Sequence, residues 1–316
     1  MNRDDELHVV FGGSGGLGGA VVRELVKRGK RVRSVSRSGG GSAGARVEAI
    51  RGNLTDIERT IESCRGASVI YHCANTPYPE WVKSLPAMMD GVIVAARTSG
   101  AKVVYGDNVY MYGPVKGPII PELPDHAPGP KGRVRAEVAA RLMRAHREGS
   151  IQATIGRASD FFGPGVLNSM MGKVVFQALV KEKPPSLIGK LDVPHTYTFV
   201  RDFAEGLVTL GEREEAIGEI WHVPSAETLT TRQFLELIFA EARQMPKLQV
   251  LSPSMLTVLG LFNPILREIK EILYEFEQPF IIDHGKYERA FGSHPTPHPE
   301  AIRQTLDWFS HRPLPG

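Results

Sequence analysis

Along the first 110 residues, short apolar runs alternate with longer stretches whose apolar positions recur every three or four residues. Leu7-His8-Val9-Val10-Phe11 is a β-branched run ending on glycine, the pattern of a strand buried on both faces. Leu17, Val21, Val22, Leu25 and Val26 follow at helical spacing, and Gly29 stops that helix. Further strands are predicted over 31–36, 47–50, 68–73 and 102–105, with helices over 56–64 and 87–99 between them. Six prolines make 114–130 a loop, and a helix resumes over 131–147. Strands over 151–155 and 219–223 come next, then helices near 231–243 and 264–276. This rhythm predicts βαβ units, and so an α/β fold: a Rossmann-type doubly wound parallel sheet with a smaller C-terminal substrate domain. The sheet domain is expected over 1–158, with 200–223 returning to it. The substrate domain takes most of 159–316, from 159–199 and 224–316.

Composition narrows the function classes. The chain of 316 residues is 42% apolar and 23% charged, which excludes wholesale disorder. Its net charge of +3 is far below the excess that nucleic-acid binding leaves, so no nucleic acid is expected. Cys64 and Cys73 cannot form a disulfide framework, which fits a reducing compartment. The start Met-Asn-Arg-Asp-Asp-Glu lacks a secretory layout. The longest apolar stretch, 256–266, is broken by Gly260, Asn263 and Pro264 and falls short of the ~18 residues a span requires. It reads as a buried helix or a pocket wall. A cytoplasmic protein with no membrane partner is the expectation. His294 and His298 have a helical metal-ligand spacing, but prolines at 295, 297 and 299 forbid the helix, so no metal site is expected.

Six of the eight residues from Gly12 to Gly19 are glycine, between the first strand and the first helix. Gly12, Gly15 and Gly18 give G-x-x-G-x-x-G, where a pyrophosphate must approach the backbone and face a helix N-terminus. Gly12, Ser14, Gly15, Gly16, Leu17 and Gly18 are therefore the expected phosphate cradle; the plainer reading is a tight strand–helix turn. No Lys-Ser/Thr follows, which argues against a P-loop. The second strand ends on Ser36, Arg37 and Ser38 where an NAD site usually places an acid. Arg37 suits a 2′-phosphate, with both serines as donors, so NADP(H) is preferred and NAD(H) remains possible. Arg31 and Arg33 add basic charge upstream; the alternative is a solvated basic edge.

Ordered segments then resemble the extended short-chain dehydrogenase/reductases of the epimerase/dehydratase branch. Val10-Phe11-Gly12 to Gly18 is similar to that family's cofactor loop. Gly52-Asn53-Leu54-Thr55-Asp56 resembles its adenine-contacting segment, with Asn53 in place of the usual acid. Tyr71-His72-Cys73-Ala74 resembles the strand whose alanine lies beside the ribose, and Val109-Tyr110-Met111-Tyr112-Gly113 its Val-Tyr-Gly turn. Gly156-Arg157-Ala158-Ser159-Asp160-Phe161-Phe162-Gly163-Pro164-Gly165 resembles the stretch bordering nicotinamide and substrate, and Phe199-Val200-Arg201-Asp202 a later segment. The resemblance implies Asn53, Leu54, Ala74 and Ala158 as further cofactor contacts.

The catalytic positions depart from the family. Its Ser or Thr becomes Asn108, and its Tyr-x-x-x-Lys becomes Lys131-x-x-x-Arg135. The spacing keeps both side chains on one helical face. In one reading Lys131 is the acid/base and cofactor contact, tuned by burial and a neighbouring guanidinium. Arg135 then takes the ribose and electrostatic role, and Asn108 orients a substrate carbonyl. The isoflavone-reductase-like branch offers a similar lysine. In the other reading turnover is lost and the protein is a non-catalytic NADP-sensing regulator. A sugar-nucleotide epimerase or dehydratase is a third possibility, opposed by the absent tyrosine. Tyr78, Tyr112, Asp160, Phe161, Phe162, His195 and Tyr197 are the expected substrate lining, with ordinary core packing as the alternative. A small-molecule substrate and, by resemblance, a homodimer complete the expectations.

Overall fold

Val9 and Phe11 of β1 (Leu7–Phe11) pack into one apolar layer while Val10 packs into the opposite one. The alternation repeats in β4 (Ala67–His72), where Ile70 faces one side and Val69 and Tyr71 the other. It appears again in β5 (Lys102–Asp107), with Val103 and Tyr105 opposing Val104. A period of two with both faces apolar is what a sheet covered on two sides requires. The computed structural model describes residues 6–41, 44–251, 255 and 270–311. The 256–266 stretch and the first part of the expected 264–276 helix lie outside the described residues; Lys270–Phe276 forms tight helical turns.

Seven parallel strands form the main sheet in the order Ile220–His222, β6 (Ala153–Arg157), β5, β4, β1, β2 (Arg31–Ser36), β3 (Val47–Arg51). The order reverses direction between β1 and β4, the switch point at which open α/β sheets bind ligands. Helices α2 (Ile57–Ser63), α3 (Trp81–Ser99) and α4 (Pro130–Arg147) cover one face. The other is covered by α1 (Gly16–Lys27) and the Val200–Glu212 helix. The helix expected from residue 87 starts six residues earlier. Pro86 lies inside it, and Trp81 anchors the start by donating its indole N–H to Thr76 O at 2.8 Å. A separate apolar cluster gathers Phe162, Phe176, Tyr197, Phe234 and Phe309 from the chain after β6. Among the described residues no helix is long and apolar enough to cross a membrane.

Candidate functional site

The turn after β1 fits a nucleotide diphosphate. Gly12 has φ +84°, and a Cβ there would lie 2.8 Å from the Ala74 backbone. A Cβ on Gly18 would run into Gly12 O, so the helix start presses directly on the loop. Gly15 caps α1 without a side-chain hydrogen bond, and the first helical turn carries no acidic residue. Its leading N–H groups therefore point outward as an anion site. The Gly163–Val166 turn borders this cradle, since a Cβ on Gly16 would be 2.9 Å from Gly165 O.

At the end of β2, Ser36 is buried and donates to Gly40 O at 2.8 Å, while its Oγ is 3.4 Å from Ser38 Oγ. Arg37 is exposed and makes no hydrogen bond or ion pair among the described residues. Arg33 is a different case, because its guanidinium binds Glu48 at 2.8 Å and the carbonyls of Ser63 and Arg65. It is tied to β3 and the end of α2, and does not add to an anion site. Asn53 is exposed and its Oδ1 accepts from Thr55 N; Leu54 is buried under Gly91. Ala158 is fully packed in the sheet core, which leaves little of it for a cofactor.

Lys131 stands in the first turn of α4, almost wholly buried. Its ammonium binds Glu271 Oε2 at 3.0 Å while its backbone N–H donates to Glu271 Oε1 at 2.6 Å. A side chain on Gly129 would collide with that carboxylate, so the glycine makes room for it. The ammonium also lies 5.6 Å from the Tyr78 ring centroid. Arg135, one turn on, does not face the same opening. Its guanidinium is enclosed, donating to Tyr105 OH at 2.7 Å and Asp107 Oδ1 at 3.3 Å, with Trp81 stacked 4.1 Å away. The longer side chain reaches past the helix face to the sheet, so the ribose role expected of it is not supported. Asn108 is half-buried, and its Oδ1 accepts from Tyr110 N at 3.3 Å.

Asp107, Arg157 and His222 stand side by side at the carboxyl ends of three adjacent strands. Arg157 reaches Asp107 Oδ2 at 3.4 Å and donates to Tyr112 OH at 2.6 Å. His222 Nδ1 donates to the Asp283 carbonyl at 3.0 Å, and its Nε2 lies 3.0 Å from Tyr112 OH, whose one proton is shared between that nitrogen and Pro121 O at 3.2 Å. Burial, then the Arg157 guanidinium, brings His222 down to about 3. Tyr112 thus has every hydroxyl function used inside the protein, which corrects its placement in the substrate lining. Phe162 and Tyr197 are corrected likewise. Phe162 is enclosed by Phe176, Phe199 and Phe234, and Tyr197 bonds Thr231 Oγ1 at 2.9 Å in the same cluster. Phe161 is half-buried against Phe203.

Asp160 and His195 do meet. His195 is fully buried with Phe276 stacked at 5.1 Å; its Nδ1 donates to Glu275 O at 3.1 Å and its Nε2 lies 3.2 Å from Asp160 Oδ2. Both ring nitrogens therefore face an acceptor oxygen. The Glu275 side chain is fully buried beside the Tyr274 hydroxyl, and burial, then the Asp160 charge, raises it well above 4.5. The sequence reading gave no role to Glu271, Glu275 or Asp107, which belong to no motif, and it saw Tyr110 only as a member of the Val109 to Gly113 turn. Glu271 meets Lys131 across 140 residues of chain.

A sequence model of the NAD dependent epimerase/dehydratase family matches residues 8–223. The protein belongs to this family, which places it among nicotinamide-dinucleotide-dependent enzymes. No curated protein matches the sequence at a significant level. Among solved structures it is similar to a dTDP-glucose 4,6-dehydratase from Streptomyces venezuelae, solved with NAD bound. That pair has TM-score 0.80 and 18% identity over 96% of each chain. It is also similar to a UDP-glucose 4-epimerase from Thermotoga maritima, solved with UDP-glucose (TM-score 0.80, 17% identity, 96% and 98% of the two chains). An epimerase from Methanothermobacter thermautotrophicus gives TM-score 0.82 at 18% identity over 97% and 92%. These likenesses establish the extended short-chain fold.

Proposed function

We propose that the protein is an NADP(H)-dependent oxidoreductase that reduces a carbonyl or conjugated bond of a small, partly apolar substrate. The observation that carries this reading is the buried Lys131 ammonium, held by Glu271 at the helix position where the family has its phenol. The cradle from Gly12 to Gly18 would hold the diphosphate, Asn53, Leu54 and Ala74 the adenosine and ribose side, and Ser36, Arg37 and Ser38 a 2′-phosphate. When bound, the nicotinamide supplies a hydride to the substrate carbon. Negative charge then gathers on the substrate oxygen, where the Asn108 amide donates a hydrogen bond and Lys131 delivers a proton. Glu271 keeps that ammonium aimed, and Asp160, backed by His195, borders the substrate with Tyr78 and Phe161. Residues 159–199 and 224–316 form the substrate side, and a homodimer is the assembly proposed.

A second reading, an NADP-binding regulator without turnover, is favoured by one observation: Arg135 is enclosed and cannot serve the ribose. Two measurements separate them. Fluorescence titration should show tighter binding of NADPH than NADH, reversed by Arg37→Glu; tighter NADH binding by the unaltered protein would sink the NADP assignment. A carbonyl and enone panel should show NADPH oxidation that falls about 10²-fold or more in Lys131→Ala. Undiminished turnover in that variant removes Lys131 from proton transfer, and no turnover with any substrate leaves the regulator reading.

A further inference from the structure

The hydroxyls of Tyr78 and Tyr110 lie 2.9 Å apart, although the two residues come from different loops, after β4 and after β5. Two phenols carry two protons, and their mutual contact uses one. No other acceptor engages either hydroxyl among the described residues. One O–H is therefore left to donate. Tyr110 is buried while Tyr78 keeps partial exposure, so the order that leaves the donor outward is Tyr110 to Tyr78, then Tyr78 to a ligand. In such a chain the inner bond polarises the outer one and strengthens it.

The pair is held rigidly. The Tyr78 ring packs at 4.7 Å on Trp81, whose indole is fixed on Thr76 O, and Trp81 also stacks at 6.0 Å on Tyr110. Tyr110 N–H donates to Asn108 Oδ1, which ties the pair to the loop that carries Asn108. Lys131 stands 5.6 Å from the Tyr78 ring. Burial raises both phenols above their usual range, and the Asp160 charge pushes the same way, so both remain protonated donors at neutral pH.

We infer that Tyr78 donates a hydrogen bond to the carbonyl oxygen of the substrate, as the outer member of a two-phenol chain backed by Tyr110. The inference rests on the reductase reading and assigns a role that this reading leaves open. As the substrate carbon accepts a hydride, the carbonyl π pair moves to oxygen. Tyr78 stabilises that charge without losing its proton, and the proton that completes the alcohol comes from a Lys131 N–H bond. A neutral donor aimed at developing charge contributes to the transition state more than to binding.

The experiment uses 4-dimethylaminobenzaldehyde, whose near-ultraviolet charge-transfer band moves to longer wavelength when its carbonyl accepts a strong hydrogen bond, added to the full-length protein saturated with NADP+. The unaltered protein should shift the band. Tyr78→Phe should abolish the shift and Tyr110→Phe should reduce it, with NADPH binding unchanged in both. In steady-state assays Tyr78→Phe should lower kcat about 10²-fold with KM little altered. No shift in the unaltered protein, or an undiminished one in Tyr78→Phe, overturns the assignment. A shift that depends on Tyr78 in a protein that oxidises no NADPH with any carbonyl supports the Tyr78 assignment and sinks the reductase reading instead.

Discussion

Lys131 and Arg135 differ in fate although they share one helical face. The shorter ammonium stops at Glu271, whereas the guanidinium reaches through to Tyr105 and Asp107. Removing one partner of a buried ion pair leaves the other charge uncompensated. Glu271→Gln should therefore destabilise the protein by about 3 kcal/mol in urea denaturation. It should also reduce turnover, because the ammonium is no longer aimed. Gly129→Ala should have a similar but smaller effect on stability, since its methyl would collide with the Glu271 carboxylate. A neutral result for both variants would show that the pair is not a fixed part of the site. Sequence spacing placed Lys131 correctly at the start of a helix, but not its carboxylate partner. Nothing in the local pattern marks a contact made by residues that meet only when the chain folds back.

At the scale of elements, the glycine turn was the most legible part of the site. Its chemistry is backbone geometry, and only glycine permits φ +84° at Gly12 and the approach of Gly18 to Gly12 O. Gly18→Ala should weaken NADPH binding at least about tenfold in fluorescence titration, because the methyl must displace the loop that forms the cradle. Unchanged affinity would mean that the phosphates lie elsewhere. The helix expected over 87–99 begins instead at Trp81. A proline inside a helix is uncommon, yet the anchored Trp81 holds the turn that precedes Pro86. The aromatic stretch from Phe161 to Tyr197 was split by the fold. Phe162 and Tyr197 went to the core, while Asp160 and His195 formed a polar pair.

For the whole molecule, three buried neutral histidines tie stability to pH. Burial, with Lys30 and Lys102 adding, brings His8 down to about 4. Burial and Arg135 bring His72 down to about 3, and His222 lies at about 3. Unfolded, each titrates near 6.5, so the unfolded chain binds more protons below that value. Their contribution is complete above 6.5 and is lost as pH falls through 4 and 3. Asp125, Asp202 and Glu275 act oppositely, since burial raises each carboxyl and the folded state holds its proton to higher pH than the unfolded chain does. The three histidines carry their change across the interval from 6.5 down to 5, so the urea midpoint should be lower at pH 5 than at pH 7.5, and His8→Phe should flatten the difference. An equal midpoint at both values would contradict this. The sequence by itself determined the order of strands and helices, the two-sided burial of the sheet and the glycine cradle. Those properties are written in periodicity and in backbone freedom, both local. Only the tertiary structure decided which side chains face one another: Lys131 with Glu271, Tyr78 with Tyr110, Asp160 with His195, and Arg135 turned inward. Such contacts join segments up to 140 residues apart, and they depend on side-chain length and direction after the sheet has closed.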